Sequence, residues 1–444
     1  MTTLQHIKKT WILAVPVILS QVGHMMVGVA DSMMVGRLGA VPLASVAFAN
    51  GIYAIFLLFG IGVSYGMTPL VAAGDGSNDK KQIVTVFKHG FVLNVVTGVV
   101  LVLGAFSVSL LFPFLDQEPE VLSGGRPYFL LISTSLLPLM FFQSFRQFSE
   151  GLSLTRQPMM ISLAANVVNI LLNYILIYGK LGVEPMGIMG AGLATVVSRV
   201  LMVFGLGAYL LFSARFKRYR AVLASSAWDW LMFSKIGKIG FPSGAQFVFE
   251  VGAFSAAAIM IGWYGAIPLA SHQVALSLSA LTYMASTGIS SASTIRIGNQ
   301  LGKKDYATLR QVGWGSFAMT ACMMTLFGLI FILFRQYLPT LYISDVLVIE
   351  LASQLLVIAA LFQISDGLQA VGLGVLRGMH DVKIPTLVTF FSYWFLAIPV
   401  GYFLGGYFEM GSIGVWIGLL LGLSLSAFLH ISRFKYLLDT KFRK

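Results

Sequence analysis

Long apolar runs of about 20 residues follow one another along the chain, separated by short polar segments. An α-helix of roughly that length crosses the hydrocarbon core of a bilayer, whereas a membrane β-barrel requires short strands of alternating polarity. The pattern therefore predicts an all-α polytopic membrane protein with twelve transmembrane helices. Their expected positions are roughly 11–35, 46–72, 88–114, 124–145, 159–178, 187–212, 237–262, 270–295, 312–334, 346–373, 384–406 and 412–434.

Composition agrees with this pattern. Of the 444 residues, 57% are hydrophobic and 10% are charged, whereas soluble domains carry about 25% charged residues. The single cysteine, Cys322, excludes an intramolecular disulfide and cysteine-based metal sites. A net charge of +12 would suggest a nucleic-acid partner in a soluble protein. Here the basic residues cluster in alternate loops, so we expect a lipid bilayer as the partner and no nucleic acid.

Loop charge predicts the orientation of the chain. Most lysines and arginines fall near the two termini and in one alternate set of loops, at roughly 73–87, 146–158, 213–236, 296–311 and 374–383. The positive-inside rule assigns this set to the cytoplasm. We therefore expect both termini in the cytoplasm, which requires an even number of spans.

The chain also contains a weak internal duplication. Residues 16–79 reappear without a gap at 242–305, and a fixed offset indicates a duplicated architecture. We predict two six-helix lobes, 1–212 and 237–444, related as a parallel repeat by an axis along the membrane normal. A basic cytoplasmic linker at 213–236, with a short amphipathic helix on the membrane surface, is expected to join them.

Three of the 17 acidic residues, Asp31, Glu250 and Asp366, fall inside apolar spans. A charge at that depth costs at least about 2.5 kcal/mol, so such residues face the protein interior or water and commonly mark an ion or substrate path. A structural polar contact is the alternative. The repeat places Asp31 opposite Ala257 and Glu250 opposite His24, so the two copies differ where chemistry is expected.

Geometry relates the first two acids. Pro16 and Pro242 occupy matched positions inside apolar spans, where the missing backbone hydrogen bond permits either a hinge or a static kink. Asp31 lies farther along its helix from Pro16 than Glu250 lies from Pro242. At about 100° per residue, the two acids differ by about 20° in their angular position around the helix axis and by about two turns along it. Carboxylates so placed can exchange a proton or Na⁺ for a cationic substrate, which is the basis of an antiporter.

Neutral polar groups accompany the acids. Hard cations prefer oxygen ligands, and candidates beyond the backbone near Pro242 are Ser365, Gln246 and Gln273.

In the fifth predicted span, Asn169 and Asn173 lie one helical turn apart on one face. Together with Thr195 of the sixth span, they are candidates to hydrogen-bond Asp31. Interhelical packing contacts explain these residues equally well.

Three stretches resemble one known family. They are VADSMMVGRLG at Val29–Gly39, FPSGAQFVFE at Phe241–Glu250 and FQISDGLQAVGLGVLRGMHD at Phe362–Asp381. Over essentially its whole length the chain resembles the multidrug and toxic compound extrusion (MATE) family, and within it the NorM branch. The resemblance implies two lobes in a V around a cavity that opens alternately to the two sides of the membrane. It also implies export of cationic and zwitterionic drugs in exchange for Na⁺, H⁺ or both.

The resemblance implies roles for individual residues. Glu250 and Asp366 are similar to the family's cation site in the C-terminal lobe, which implies Na⁺ at this pair. The N-terminal-lobe polar network corresponds to Asp31, Asn169, Asn173 and Thr195. Besides the three acids, the substrate cavity corresponds to Gln273, Phe362 and Asp345. One departure concerns Phe362, because the family can place a tyrosine there; phenylalanine lacks the hydroxyl but offers its ring face to a cation.

The expected function is therefore a cation-coupled multidrug antiporter of the bacterial inner membrane, monomeric and without a cofactor. A lipid-linked oligosaccharide flippase of the same superfamily would favour basic residues in the cavity to hold a pyrophosphate. An intramembrane enzyme would require a convergent catalytic set, and the sequence contains no nucleophile elbow, P-loop, HExxH or CxxC motif. His24 and His272 have no second metal ligand at the appropriate spacing, so each is expected to make a polar contact.

Overall fold

The computed structural model describes residues 3–115, 117–225 and 228–442, and these residues form helices and connecting loops without a β-strand. The α-helices are α1 (Thr3–Gly36), α2 (Ala40–Ser64), α3 (Thr68–Gly76), α4 (Lys80–Ser109), α5 (Pro119–Thr134), α6 (Leu136–Gly151), α7 (Arg156–Tyr178), α8 (Gly187–Phe212), α9 (Lys217–Ser225), α10 (Trp230–Gly262), α11 (Ala266–Lys303), α12 (Tyr306–Leu333), α13 (Val346–Gly378), α14 (Lys383–Phe391), α15 (Ile398–Tyr402) and α16 (Gly411–Thr440). Short 3₁₀ segments occur at Phe112–Phe114, Ala214–Phe216 and Leu338–Leu341, and π-helical segments at Ser392–Ala397 and Phe403–Tyr407.

This architecture confirms the predicted all-α polytopic fold. Within the described residues, eleven helical stretches are long and apolar enough to cross a membrane, whereas the sequence predicts twelve. The predicted eighth span, roughly 270–295, lies in α11, which is 38 residues long. Length therefore does not separate α11 from the other spans. Serine and threonine recur along it and lower its mean hydropathy.

The duplication is visible in the register of the helices. The starts of α4 at Lys80 and α12 at Tyr306 are separated by the same offset as the sequence repeat. Each is preceded by an aspartate that accepts a hydrogen bond from the backbone of the first turn. Asp79 accepts from Gln82 N–H at 2.9 Å, and Asp305 accepts from Thr308 N–H at 3.0 Å.

The two copies differ in helix continuity. The first copy is interrupted between α2 and α3 and again at Ser135, between α5 and α6, whereas α11 and α13 run without a break through the matched positions. Conversely, α7 is one regular helix, whereas the matched segment of the second copy, which begins with α14, contains both π-helical segments. The second copy thus has longer uninterrupted helices and one distorted helix.

Internal contacts divide the chain into two compact units. The N unit contains Leu19–Gly244, and the C unit contains the residues up to Ile18 and those from Ala245 onward. The two boundaries lie within α1 and α10, each shortly after the proline inside that helix, Pro16 or Pro242. These units divide both helices, unlike the lobes predicted at 1–212 and 237–444.

Matched glycines permit close helix packing in each unit. A Cβ on Gly62 of α2 would lie 2.5 Å from the Cα of Gly244 in the N unit, and a Cβ on Gly288 of α11 would overlap Ile18 in the C unit. Farther along α11, the buried Arg296 side chain donates to Thr10 Oγ1 at 2.8 Å and to the His6 carbonyl. The beginning of α1 is therefore bound to the C unit by both packing and hydrogen bonds.

The predicted linker at 213–236 contains the short helix α9 and the first turns of α10, while Ser226 and Ala227 lie outside the described residues. After this gap, Asp229 N–H donates to His89 Nε2 at 2.8 Å, and the exposed Trp228 ring lies beneath Lys88 Nζ at 4.2 Å. These contacts attach the end of the linker to α4.

Candidate functional site

Glu250 lies in α10 of the C unit and is 6% exposed. The Tyr283 hydroxyl of α11 donates to its Oε1 at 3.2 Å. Its second oxygen, Oε2, is buried and has no hydrogen-bond partner among the described residues. One half of this carboxylate is therefore available for a proton or a cation.

Asp366 lies in α13 of the same unit and is 4% exposed. Its carboxylate is close enough to Glu250 for the two negative charges to repel each other. Neither acid belongs to an ion pair among the described residues, where the pairs are Arg146–Glu150 and Arg433–Asp381. Two like charges in a desolvated region favour uptake of a shared proton or cation.

The C unit also contains neutral buried oxygens without a hydrogen-bond partner among the described residues: Gln246 Oε1, Ser279 Oγ, Ser286 Oγ, Thr320 Oγ1, Gln363 Oε1, Thr389 Oγ1, Ser392 Oγ and Ser426 Oγ. The Ser286 hydroxyl lies against α13 one residue beyond the second acid, because a Cβ added to Gly367 would lie 2.9 Å from it. Of the neutral oxygens predicted from sequence, Gln246 belongs to this group, whereas Ser365 hydrogen-bonds Ser424 at 2.8 Å. Carboxylates with neutral oxygens form a donor set that suits a hard cation.

Aromatic rings pack around Phe362, one helical turn before Asp366 in α13. The Phe362 ring is buried, with its centroid 6.1 Å from Phe254 and 5.6 Å from Trp416. Trp416 Nε1–H donates to His272 Nδ1 at 3.1 Å, which is the kind of polar contact expected for this histidine. Phe362, predicted to line a cavity, is therefore packed among other aromatic rings of the C unit.

Two tyrosines of this region were not identified from the sequence. Tyr283 is the hydrogen-bond donor to Glu250. Tyr393 belongs to the first π-helical segment, is fully buried, and donates to Gln369 Oε1 at 3.1 Å. The only sequence signal for either residue is a hydroxyl within an apolar span, and many tyrosines share that signal.

In the N unit, Asp31 of α1 accepts a hydrogen bond from Asn173 Nδ2 of α7. The same amide donates to Asn169 Oδ1 at 3.1 Å. Thr195 instead donates to the Ala191 carbonyl of its own helix at 3.1 Å. Asn173 thus bonds the acid directly and Asn169 is joined to it only through Asn173, whereas Thr195 bonds a carbonyl of its own helix.

A buried arginine lies in the same unit. Arg199 of α8 is 7% exposed and donates through Nη1 to the Tyr53 hydroxyl and to Ser135 Oγ, the latter at 2.6 Å. Its guanidinium is also within electrostatic range of Asp31. The sequence indicates a basic residue at membrane depth here but does not identify these partners.

Two further residues predicted to line the substrate cavity, Gln273 and Asp345, are exposed. Gln273 is exposed on α11, and the exposed Asp345 caps α13 by accepting from Leu347 N–H at 2.9 Å. A shallow groove of about 590 Å³ in the N unit contains none of the three membrane-depth acids. Its lining residues are Met25, Gly28, Val29, Ser32, Met33, Gly36 and Leu43.

Comparison with known proteins gives consistent matches over the whole chain. The MatE family model matches twice, at residues 16–175 and 242–403, so its two starts coincide with the two starts of the internal repeat. The multidrug resistance protein NorM of Photobacterium profundum is 34% identical over 96% of this chain and 94% of its own length. The multidrug resistance protein MdtK of Yersinia pseudotuberculosis is 33% identical over 96% of this chain and 94% of its own length. The crystal structure of the eukaryotic MATE transporter AtDTX14 has a TM-score of 0.87 at 23% identity, covering 98% of this chain and 96% of that one.

Proposed function

We propose that this chain, which belongs to the MatE family of membrane transporters, exports cationic and zwitterionic drugs across the bacterial inner membrane in exchange for Na⁺ or H⁺. Its relatives of about one-third identity are named multidrug resistance proteins. The proposed orientation, with both termini in the cytoplasm, rests on the basic loops.

One observation carries this proposal. Glu250 is buried, shares its region with the carboxylate of Asp366, and has an oxygen without a hydrogen-bond partner among the described residues. Two carboxylates at membrane depth without a paired cation are costly unless they bind one. A scaffold has no need for this arrangement, whereas a cation exchanger does.

The exchange follows from charge. Uptake of Na⁺ or H⁺ at Glu250 and Asp366 removes the repulsion between them and lowers the attraction of the protein for a cationic drug, which is then released outside. The transporter next opens to the cytoplasm, where a cationic drug replaces the ion. We assign hinge roles to Pro16 and Pro242, because a proline leaves a backbone carbonyl without its helical partner.

The flippase alternative has weaker support. A pyrophosphate-linked lipid would require basic groups free to bind phosphate oxygens. The buried Arg199 is already hydrogen-bonded to Tyr53 and Ser135. The membrane-depth acids would oppose an anionic substrate.

Whole-cell efflux of ethidium tests the proposal. Glu250→Gln and Asp366→Asn should each reduce coupled efflux by about a hundredfold at equal expression, since each removes a charge that must be neutralised in every cycle. Glu184→Gln, which removes an exposed loop carboxylate, is the matched control and should retain efflux. Comparing efflux with and without a Na⁺ gradient, at two external pH values, identifies the coupling ion. Normal ethidium export by both single variants under the same gradient would show that the exchange mechanism is wrong.

A further inference from the structure

The beginning of α1 is held on α11 by a buried hydrogen-bonded cluster that the proposed exchange does not use. Arg296 of α11 donates through Nη1 to the His6 carbonyl and to Thr10 Oγ1, the latter at 2.8 Å. Its Nη2 lies 2.8 Å from Nδ1 of the His6 imidazole. Each of the three residues is at most 7% exposed. All three belong to the C unit.

The contact between Arg296 and His6 fixes the protonation state of the imidazole. A guanidinium has only donors, so Nδ1 of His6 is the acceptor and carries no proton. The ring is therefore neutral, with its single proton on Nε2. Protonation of Nδ1 would remove the acceptor and place two cations in contact. Histidine can thus bind Arg296 in this way in only one of its two charge states, and it changes state near neutral pH.

The charged groups around His6 are mostly positive. They are Arg296 of α11, Lys9 of α1, the amino terminus, and Asp305 before α12. The one acid, Asp305, caps α12 by accepting from Thr308 N–H at 3.0 Å. Among the described residues, no carboxylate lies within ion-pair distance of Arg296 or His6. A protonated His6 would therefore face Arg296 without an anion in contact, and the two cations would separate.

The matched place in the other copy of the repeat has apolar residues instead. The repeat offset places Met232 of α10 opposite His6, and it places Leu70 of α3 opposite Arg296. Both apolar side chains are buried in the N unit. The start of α10 packs closely there, because a Cβ on Gly66 would lie 2.5 Å from a backbone oxygen of α10. Docking of this helix start therefore does not require a histidine and an arginine.

We propose that His6 and Arg296 form a proton-sensitive latch for the beginning of α1. Neutral His6 keeps the first turns of α1 docked on α11, and protonation of His6 releases them. Since α1 belongs to the C unit as far as Ile18, Pro16 lies between the released turns and the N unit and permits a bend there. The latch responds to the pH on the side of the membrane that holds the N-terminus, which is the cytoplasm in the proposed orientation.

Hydrogen–deuterium exchange of the purified full-length protein in detergent tests the latch at about pH 8 and about pH 5.5, on either side of the usual histidine pKa. Protection factors, which correct for the pH dependence of intrinsic exchange, are compared for the backbone amides of residues 7–13. In the wild type, their protection should fall about tenfold at the lower pH, because loss of the latch makes local opening easier. The protection of α16 should be the same at the two pH values.

Two variants at His6 separate protonation from packing. In His6→Asn, the amide oxygen takes the place of Nδ1 as the acceptor for Arg296 and does not titrate, so protection should remain high at both pH values. His6→Ala removes the acceptor and should give low protection at both pH values. His380→Asn, at an exposed histidine of the same unit, is the matched control and should keep the wild-type pH response.

The outcomes are distinguishable. Unchanged protection of residues 7–13 in the wild type would overturn the inference, and so would an equal fall in His6→Asn. Loss of the pH response in His380→Asn, or a parallel fall in α16, would assign the response to another group or to global unfolding and would also overturn it. If His6→Ala does not fold, the contrast between the wild type and His6→Asn decides. Exchange is measured without a substrate, so none of these outcomes bears on the proposed export.

Discussion

The N unit and the C unit share a helical plan but treat their buried charges differently. In the N unit, Asp31 has an amide donor, Asn173, and an arginine within electrostatic range. In the C unit, the carboxylates of Glu250 and Asp366 repel each other, and neither is ion-paired among the described residues. A duplicated framework can thus carry one acid held by a side-chain amide and, in its other copy, two acids that share one region.

Ion binding should separate the two units most strongly. Glu250→Gln should weaken Na⁺ binding about a hundredfold or more, because the remaining acid loses the like charge that drives cation uptake. Asp31→Asn should leave Na⁺ binding within about threefold of wild type, since Asp31 lies in the other unit and already accepts a hydrogen bond from Asn173. Titration calorimetry on the purified variants measures both. Equal losses in the two variants would mean that the units are not chemically distinct.

In contrast, substitutions at matched glycines of the helix packing should lower stability by similar amounts in the two units. A Cβ on Gly151 would lie 2.6 Å from Val71 Cβ, and a Cβ on the matched Gly378 would lie 2.7 Å from Ile297 Cβ. Gly151→Ala and Gly378→Ala should therefore each lower the free energy of unfolding by about 1–3 kcal/mol.

Thermal unfolding in detergent measures these glycine effects. Gly51→Ala is the control, because its Cβ would meet nothing within 4 Å. A large cost in one unit and none in the other would show that the packing repeat is only approximate.

The smallest effect is expected at the matched helix caps. Asp79→Ala and Asp305→Ala each remove a side-chain acceptor for a backbone N–H and should cost about 1 kcal/mol in the free energy of unfolding. Glu184→Ala, at an exposed loop acid, should cost almost nothing. Unfolding by denaturant at neutral pH compares the three variants, and a cost confined to one cap would break the equivalence of the units.

The Asp305 cap also has a defined pH dependence. Hydrogen bonds from Thr308 hold the pKa of Asp305 below its usual value of 3.8. A carboxylate with a lowered pKa stabilises the fold above its unfolded pKa and loses that effect as the pH falls through its folded pKa. The stability difference between wild type and Asp305→Ala should therefore shrink at a pH below 3.8. A difference that grows on acidification would contradict this assignment.

Features that depend on local sequence are predictable in this molecule, and contacts between distant segments are not. Apolar periodicity and the fixed offset predict the spans and the matched starts of α4 and α12, because both depend on local sequence. The three acids are identifiable because charges are rare in apolar runs. The hydrogen bond from Tyr283 to Glu250 and that from Arg199 to Ser135 join distant segments. Such contacts depend on how helices pack, and no local pattern encodes them.

The two compact units are not apparent in the sequence for a related reason. The hydropathy pattern shows α1 and α10 as uninterrupted helices, and nothing in it indicates that each contributes to two units. The eighth span, roughly 270–295, is predicted from an apolar run. This run lies in α11, whose serines and threonines lower its mean hydropathy.

The divided helix α1 has a consequence for biosynthesis. Its first half contacts Gly288 and Arg296, which are synthesised only after the whole N unit has been made. The start of α1 is therefore synthesised well before its partners in α11, and a second half expressed without α1 lacks part of the C unit. Completion of the C unit is a late event in assembly, because it joins a segment made before the N unit to one made after it.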